Sequence, residues 1–300
     1  MKEKPSITVI TGHLGSGKTT LIQKILKTFK DSKFLVIENE FGEIGIDGEI
    51  LSKDDNALVE LNAGCVCCNI QSDLELILEK FIEEEHDYEH IIIEATGVAN
   101  PAKIVKQFVG MTYLGRHFQL NSVICVVDGK HYKKHQKLPE FELQLLTSDR
   151  FYLSKINDES IKDIANDLNI DESKFVFEKD LNDWFKEKSF YELDSNISQK
   201  GGHNHYQKIA FEFEGEFDPN SFERYLNVLY LQYMGKIFRT KGLVYFAKNP
   251  HPYIVQGVFD SLNFDEFKEC KSTKNKNQII LIGEGMNEEK IQSSLKNCLV

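Results

Sequence analysis

The chain has 300 residues, 41% hydrophobic and 28% charged, which is the balance of a globular protein with about two domains. A formal net charge of −11 argues against a nucleic-acid surface, which needs a basic patch, and suits a solvated cytoplasmic protein or one that handles cations. No apolar run approaches the roughly 18 residues of a membrane span, Met1-Lys2-Glu3-Lys4-Pro5 leads into the first strand without a signal-peptide pattern, and six cysteines are too few for a disulfide scaffold at this length.

Ile7-Thr8-Val9-Ile10 is a β-branched apolar run, the mark of a buried strand. Gly12-His13-Leu14-Gly15-Ser16-Gly17-Lys18-Thr19-Thr20 follows and fits G-x-x-x-x-G-K-[ST]. Leu21, Ile22, Ile25, Leu26 and Phe29 then recur at helical spacing. Strand, glycine loop and helix form the context of a P-loop, whose backbone N–H groups wrap a polyphosphate at the positive end of a helix. Gly15, Ser16, Gly17, Lys18, Thr19 and Thr20 are therefore expected to bind nucleotide. Lys18 is expected on the β- and γ-phosphates and the Thr19 hydroxyl on Mg²⁺.

Lys33 to Ile37 reads as the next strand and runs into Glu38-Asn39-Glu40-Phe41-Gly42-Glu43-Ile44-Gly45-Ile46-Asp47. Acids and glycines past a strand's C-terminal end suggest a loop at the ligand-binding edge of an open α/β sheet, against the alternative of a solvated acidic turn. Leu58-Val59-Glu60-Leu61 and Asn62-Ala63-Gly64 precede Cys65-Val66-Cys67-Cys68. In a straight strand Cys65 and Cys67 would share a face and Cys68 would point away, so one ion can take all three only where the backbone turns. Thiolates favour soft or borderline cations such as Zn²⁺ or Cu(I), with a fourth position for a carboxylate, a histidine or water. Three buried cysteines acting as small hydrophobes, or a redox pair, are the competing readings.

Asp73 to Glu85 reads as a helix with an apolar stripe, and His90-Ile91-Ile92-Ile93-Glu94 as a buried strand tipped by an acid. Glu94 is the expected Mg²⁺ partner. Gly97, three residues on, can approach a γ-phosphate with its N–H. A helix is expected around Ala102 to Val109, a strand from Asn121 to Asp128 and, beyond Phe151 to Asn157, a helix opened by a capping box at Ser160-Ile161-Lys162-Asp163. Alternating strands and helices imply an α/β domain with a mostly parallel sheet and helices on both faces. A polar stretch around Gly201-Gly202-His203-Asn204-His205 reads as a linker. Ile209 to Phe213 then alternates like a half-exposed strand. A helix is expected over Phe222–Met234, strands over Leu243–Phe246, Tyr253–Val255 and Ile279–Ile282, and a closing helix over Glu288–Leu299. The expected organisation is a P-loop domain over 1–188, a linker over 189–206 and a small α+β domain over 207–300.

Together these stretches resemble the CobW family of P-loop GTPases, the metal-chaperone branch that includes the zinc-regulated GTPase metalloprotein activators and YjiA-like proteins. The shared residues are Thr11 to Thr20, Glu38 to Glu43, Gly64 to Cys68, Glu94-Ala95-Thr96-Gly97-Val98-Ala99-Asn100-Pro101, and Val126-Val127-Asp128 followed by His131. Gly235 to Gly242 and Val255-Gln256-Gly257-Val258 look like the family's C-terminal module. The resemblance implies that Cys65, Cys67 and Cys68 match the metal motif, that Glu38 and Glu43 match carboxylates near that metal, and that Lys18, Thr19 and Glu94 match the nucleotide and Mg²⁺ machinery. The linker keeps only His203 and His205 of a tract that is often histidine-rich in the family. The base-reading motif, usually Asn-Lys-x-Asp, reads Ser154-Lys155-Ile156-Asn157 here. Lys155 and Asn157 are the expected base contacts. Asn157 offers guanine one acceptor and one donor where Asp offers two acceptors, a loss of about 1.5–3 kcal/mol that Asp158 could offset.

The expected function is that of a GTPase, slow without metal or partner. It would bind GTP or GDP with Mg²⁺, hold Zn²⁺ (with Co²⁺ or Ni²⁺ as alternatives) and hand it to a client apo-metalloprotein. No nucleic acid, membrane or particular oligomer is implied. The rivals are a metal buffer with a structural nucleotide, a GTPase for cobalt/cobalamin or nitrile-hydratase cofactor assembly, and a P-loop kinase.

Overall fold

The computed structural model describes residues 4–40, 51–53, 56–62, 70–84, 88–110, 112–156, 161–181, 206–259, 261–267 and 276–300. They fall into two compact units, residues 1–108 with 112–190 and residues 109–111 with 191–300.

In the first unit the strands are β1 (Ser6–Thr11), β2 (Phe34–Glu40), β3 (Leu51–Lys53), β4 (Asn56–Asn62), β5 (His90–Glu94), β6 (Gln119–Asp128), β7 (Arg150–Ser154) and β8 (Phe175–Val176). They form one sheet in the order β3-β4-β2-β5-β1-β6-β7-β8. Every pairing is parallel except β3 with β4. The central strands are buried apolar runs because helices cover both of their faces. The helices are α1 (Lys18–Thr28), α2 (Ile70–Glu83), α3 (Ala102–Val105), α4 (Tyr113–His117), α5 (Tyr132–His135), α6 (Pro139–Thr147) and α7 (Ile161–Asp167). Leu21, Ile22 and Ile25 of α1 pack with Ile10, Val36, Ile92, Ile124 and Val126. Phe141 and Leu145 of α6 and Ile164 of α7 pack with Cys125, Val127, Phe151 and Leu153, the alternate residues of β6 and β7.

Two helices of this unit differ in extent from the sequence reading. α2 begins at Ile70 and not at Asp73, which lies inside the first turn, where an acid also favours the helix. The helix expected over 102–109 stops at Val105 and tightens into a 3-10 turn over Lys106–Phe108. The Thr112 hydroxyl donates to the Gln107 carbonyl at 2.6 Å and so takes an acceptor that a longer helix would use. Helices α4, α5 and α6 were not anticipated. Ser160 of the expected capping box lies outside the described residues.

The second unit is an antiparallel sheet in the order β12-β11-β10-β13-β9, formed by β9 (Gln207–Glu214), β10 (Ile237–Val244), β11 (Tyr253–Val258), β12 (Ser261–Glu266) and β13 (Lys276–Gly283). The helices Pro219–Gln232 and Glu288–Lys296 share one core with it, built on Phe211, Phe217, Phe222, Leu226, Val244, Val255, Ile279, Ile291 and Leu295. Asp218 and Asn287 cap the two helices by accepting from Ser221 N and Lys290 N. β10 starts six residues before the expected Leu243, because Arg239, Thr240 and Lys241 read as polar yet are buried, Thr240 against the Tyr230 hydroxyl at 2.6 Å.

Candidate nucleotide site

The P-loop leaves the C-terminal end of β1, between β5 and β6, and turns into α1. Its wrapped shape depends on glycine. Gly12, Gly15 and Gly17 have φ of 137°, 72° and 101°, and a Cβ on Gly12 would collide with the Val126 carbonyl. Gly17 caps α1 without a side-chain bond, so the first-turn N–H groups remain available to an anion. Ser16 is fully buried. Its Oγ and the Thr96 Oγ1 have no hydrogen-bond partner among the described residues. Gly15, Thr19 and Thr20 are exposed.

Lys18 is buried, and its Nζ donates to the Gly12 carbonyl at 3.2 Å and lies 3.9 Å from Glu94 Oε1. The Thr19 hydroxyl donates to Glu94 Oε2 at 3.1 Å. Adjacent oxygens around an octahedral Mg²⁺, at metal distances of about 2.0–2.1 Å, lie about 3 Å apart. The Thr19–Glu94 pair therefore fits that ion by oxygen chemistry and by spacing. Glu94 is placed by its strand: it is paired in register with Ile10 of β1 on one side and Glu38 of β2 on the other. Just beyond it, Gly97 lies against the P-loop so closely that a Cβ there would overlap Leu14 N and Cα.

Four contacts hold this arrangement. Gln144, fully buried on α6, donates from Nε2 to the Gly97 carbonyl at 3.0 Å. Ser154, at the asparagine position of the base-reading motif, donates to Ser16 O at 2.5 Å. Lys155, at φ 48°, donates to the Gly15 carbonyl and to Asp128 Oδ2, the latter at 2.9 Å. Burial alone would raise the Asp128 carboxyl, but the hydrogen bonds from Lys155 and His131 outweigh it and hold it below its usual range. Asp128 had a sequence signal, an acid closing a buried strand as Glu94 does. Gln144 had none.

The residues expected to hold the cargo metal divide. Glu38 lies beside Glu94 in the register of β2 and β5. Glu43, Cys65, Cys67 and Cys68 lie outside the described residues, as do Asn157, His203 and His205. The described flanks of the cysteine motif are Asn62, which ends β4, and Ile70, which opens α2. Among the described residues no group of three or more His, Cys, Asp or Glu side chains is arranged to hold a metal ion. Likewise none of their helices is long and apolar enough to cross a membrane.

Residues 6–176 match the family model for the CobW/HypB/UreG nucleotide-binding domain, and residues 206–299 that for the cobalamin synthesis protein cobW C-terminal domain. The chain belongs to the CobW family. Zinc chaperone YjiA of Escherichia coli (strain K12) is 26% identical over 310 residues, covering 96% of this chain and 97% of YjiA. Zinc chaperone CobW of a Sinorhizobium species is 25% identical over 303 residues, 84% of each chain. The crystal structure of Zn(II)-bound YjiA GTPase from E. coli shares the fold, with a TM-score of 0.73 at 22% identity over 99% of this chain and 100% of that one. This CobW-family chain is accordingly a P-loop nucleoside triphosphatase with the family's role, that of a GTPase-linked metal chaperone.

Proposed function

We propose that this chain hydrolyses GTP to control a divalent metal ion, Zn²⁺ by preference. The ion would be held by Cys65, Cys67 and Cys68 with Glu38 and Glu43 and passed to a client apo-metalloprotein. The observation that carries the reading is the register of β2 and β5. Glu38, from the proposed cargo site, is the direct cross-strand neighbour of Glu94, and Glu94 bonds Thr19 at the start of α1. A change at the phosphates that moves Glu94 therefore reaches a proposed metal carboxylate within one strand spacing. The thiolate-rich ligand set favours Zn²⁺, with Co²⁺ and Ni²⁺ as weaker fits. Relatives named as zinc chaperones support that choice.

In this reading Gly15 to Thr20 cradle the phosphates and Lys18 turns from the Gly12 carbonyl to the β- and γ-oxygens. Thr19 and Glu94 would hold Mg²⁺, which neutralises charge on those oxygens when bound. The Gly97 N–H would meet the γ-phosphate, a contact that would order its turn. Lys155 supports the base-side loop, and Asn157 replaces the usual Asp with a weaker match to guanine. Hydrolysis then relaxes the Glu94–Gly97 segment and lowers the hold on the cargo ion.

The test is a chelator-competed Zn²⁺ titration of reduced protein with GDP, with a non-hydrolysable GTP analogue and with neither. A tenfold or larger difference in zinc affinity between the nucleotide states, about 1.4 kcal/mol of coupling, is expected. Equal affinity in all three overturns nucleotide control and leaves a metal buffer. Unchanged affinity after Cys→Ser at 65, 67 and 68 overturns the ligand assignment.

A further inference from the structure

We propose a second metal site, formed by the Nδ1 nitrogens of His13 and His135, that takes a divalent transition-metal ion and ties the P-loop to α5. His13 is the second residue of the P-loop motif and His135 the last residue of α5. Their rings lie 4.1 Å apart, centre to centre, with 43° between planes. Both Nδ1 atoms are buried, and neither has a hydrogen-bond partner among the described residues. A buried nitrogen without a partner is costly, and here two of them sit on adjacent rings. An imidazole nitrogen that is neither protonated nor hydrogen-bonded is a ligand for Zn²⁺, Co²⁺, Ni²⁺ or Cu²⁺.

The surroundings of His135 favour its neutral, ligating form. Burial pushes His135 below its ordinary value, with His13, His131 and Lys155 acting in the same direction and Asp128 against it. The Phe141 ring lies 5.7 Å from that of His135, at 67° between planes. His131, 6.3 Å from His135, is already engaged: its Nδ1 bonds Asp128 at 3.1 Å. Two imidazoles on one tetrahedral ion with metal–nitrogen bonds of about 2.0–2.1 Å put their ring centres roughly 5 Å apart. The pair needs an outward shift of about an ångström from the observed spacing. Because no three candidate ligands are grouped here, water completes the shell. The proposed ligands include none of the cysteines of the 65–68 motif. An ion shared by His13 and His135 restrains the loop that wraps the phosphates, so metal and nucleotide affinities must be coupled reciprocally.

The probe is Co²⁺ alone, titrated into the full chain carrying Cys→Ser at 65, 67 and 68. The expected signature is a visible d–d band without thiolate charge transfer, saturating at one ion. His135→Phe, which keeps an aromatic ring against His13 and Phe141, is expected to lower Co²⁺ affinity tenfold or more. His13→Phe is expected to do the same, and His131→Ala to change it less than threefold. Zn²⁺ is expected to shift the affinity for a fluorescent GDP at least threefold, and His135→Phe to abolish the shift. Loss of Co²⁺ binding with the cysteines, or an unchanged affinity in His135→Phe, overturns the site. Should the triple-serine protein fail to fold, imidazole ¹⁵N shifts of the unaltered chain on Zn²⁺ addition decide. Movement of both Nδ1 resonances supports the pair, and movement of neither overturns it.

Discussion

Lys155 holds a backbone conformation that side chains rarely adopt, at φ 48°, and from there joins the P-loop carbonyl of Gly15 to the buried carboxylate of Asp128. The ion pair stabilises the charged form of Asp128 against burial, so the folded-state value lies below the ordinary 3.8. The sign follows by linkage. Stability from this group is fully present above pH 3.8 and is lost as pH falls through the lowered folded value. Lys155→Met removes the largest of the hydrogen bonds that oppose the burial and leaves the burial itself. The acid-unfolding midpoint, followed by circular dichroism, is therefore expected to move to higher pH. A midpoint that stays put would mean that Asp128 does not carry that stability.

Between elements, the Glu94–Gly97 turn is fitted to the P-loop by contact and not by flexibility. Gly97 abuts Leu14, and Gln144 of α6 holds the Gly97 carbonyl from behind. Gly97→Ala forces a methyl group into the Leu14 backbone, and displacing the turn by about an ångström is expected to reduce GTP turnover about 100-fold. The readout is single-turnover GTPase rate alongside GDP affinity, with the rate falling further than the affinity. Gln144→Leu leaves that carbonyl without its donor, and a stability loss of about 1–3 kcal/mol is expected in denaturant unfolding.

For the whole molecule, the two units have separate cores, one around β1, β5 and β6 and one around β9 to β13. Nucleotide binds only the first in the reading argued above. At a ligand concentration of about 100 times Kd it adds about 2.7 kcal/mol. Hydrogen exchange is expected to slow in β1, β5 and α1 on adding GDP and to stay within twofold in β10, β11 and β13. Equal slowing in both sheets would show that the nucleotide couples the cores.

The motif at Gly12 to Thr19, the buried strands ending in Glu94 and Asp128 and the alternation of strands and helices were determined by the sequence itself. They are local patterns with fixed spacing, and they carried both the α/β class and the nucleotide chemistry. What only the tertiary structure decided is which distant residues meet. Strand order put Glu38 beside Glu94, and the packing of α6 brought Gln144 to Gly97. The short helix after β6 laid His135 on His13. The start of β10 was expected at Leu243 and lies at Ile237 for the same reason: the polar stretch Arg239–Lys241 is part of the strand. Its burial comes from β11 and β13 on either side of β10, and no local pattern in those residues announces such neighbours.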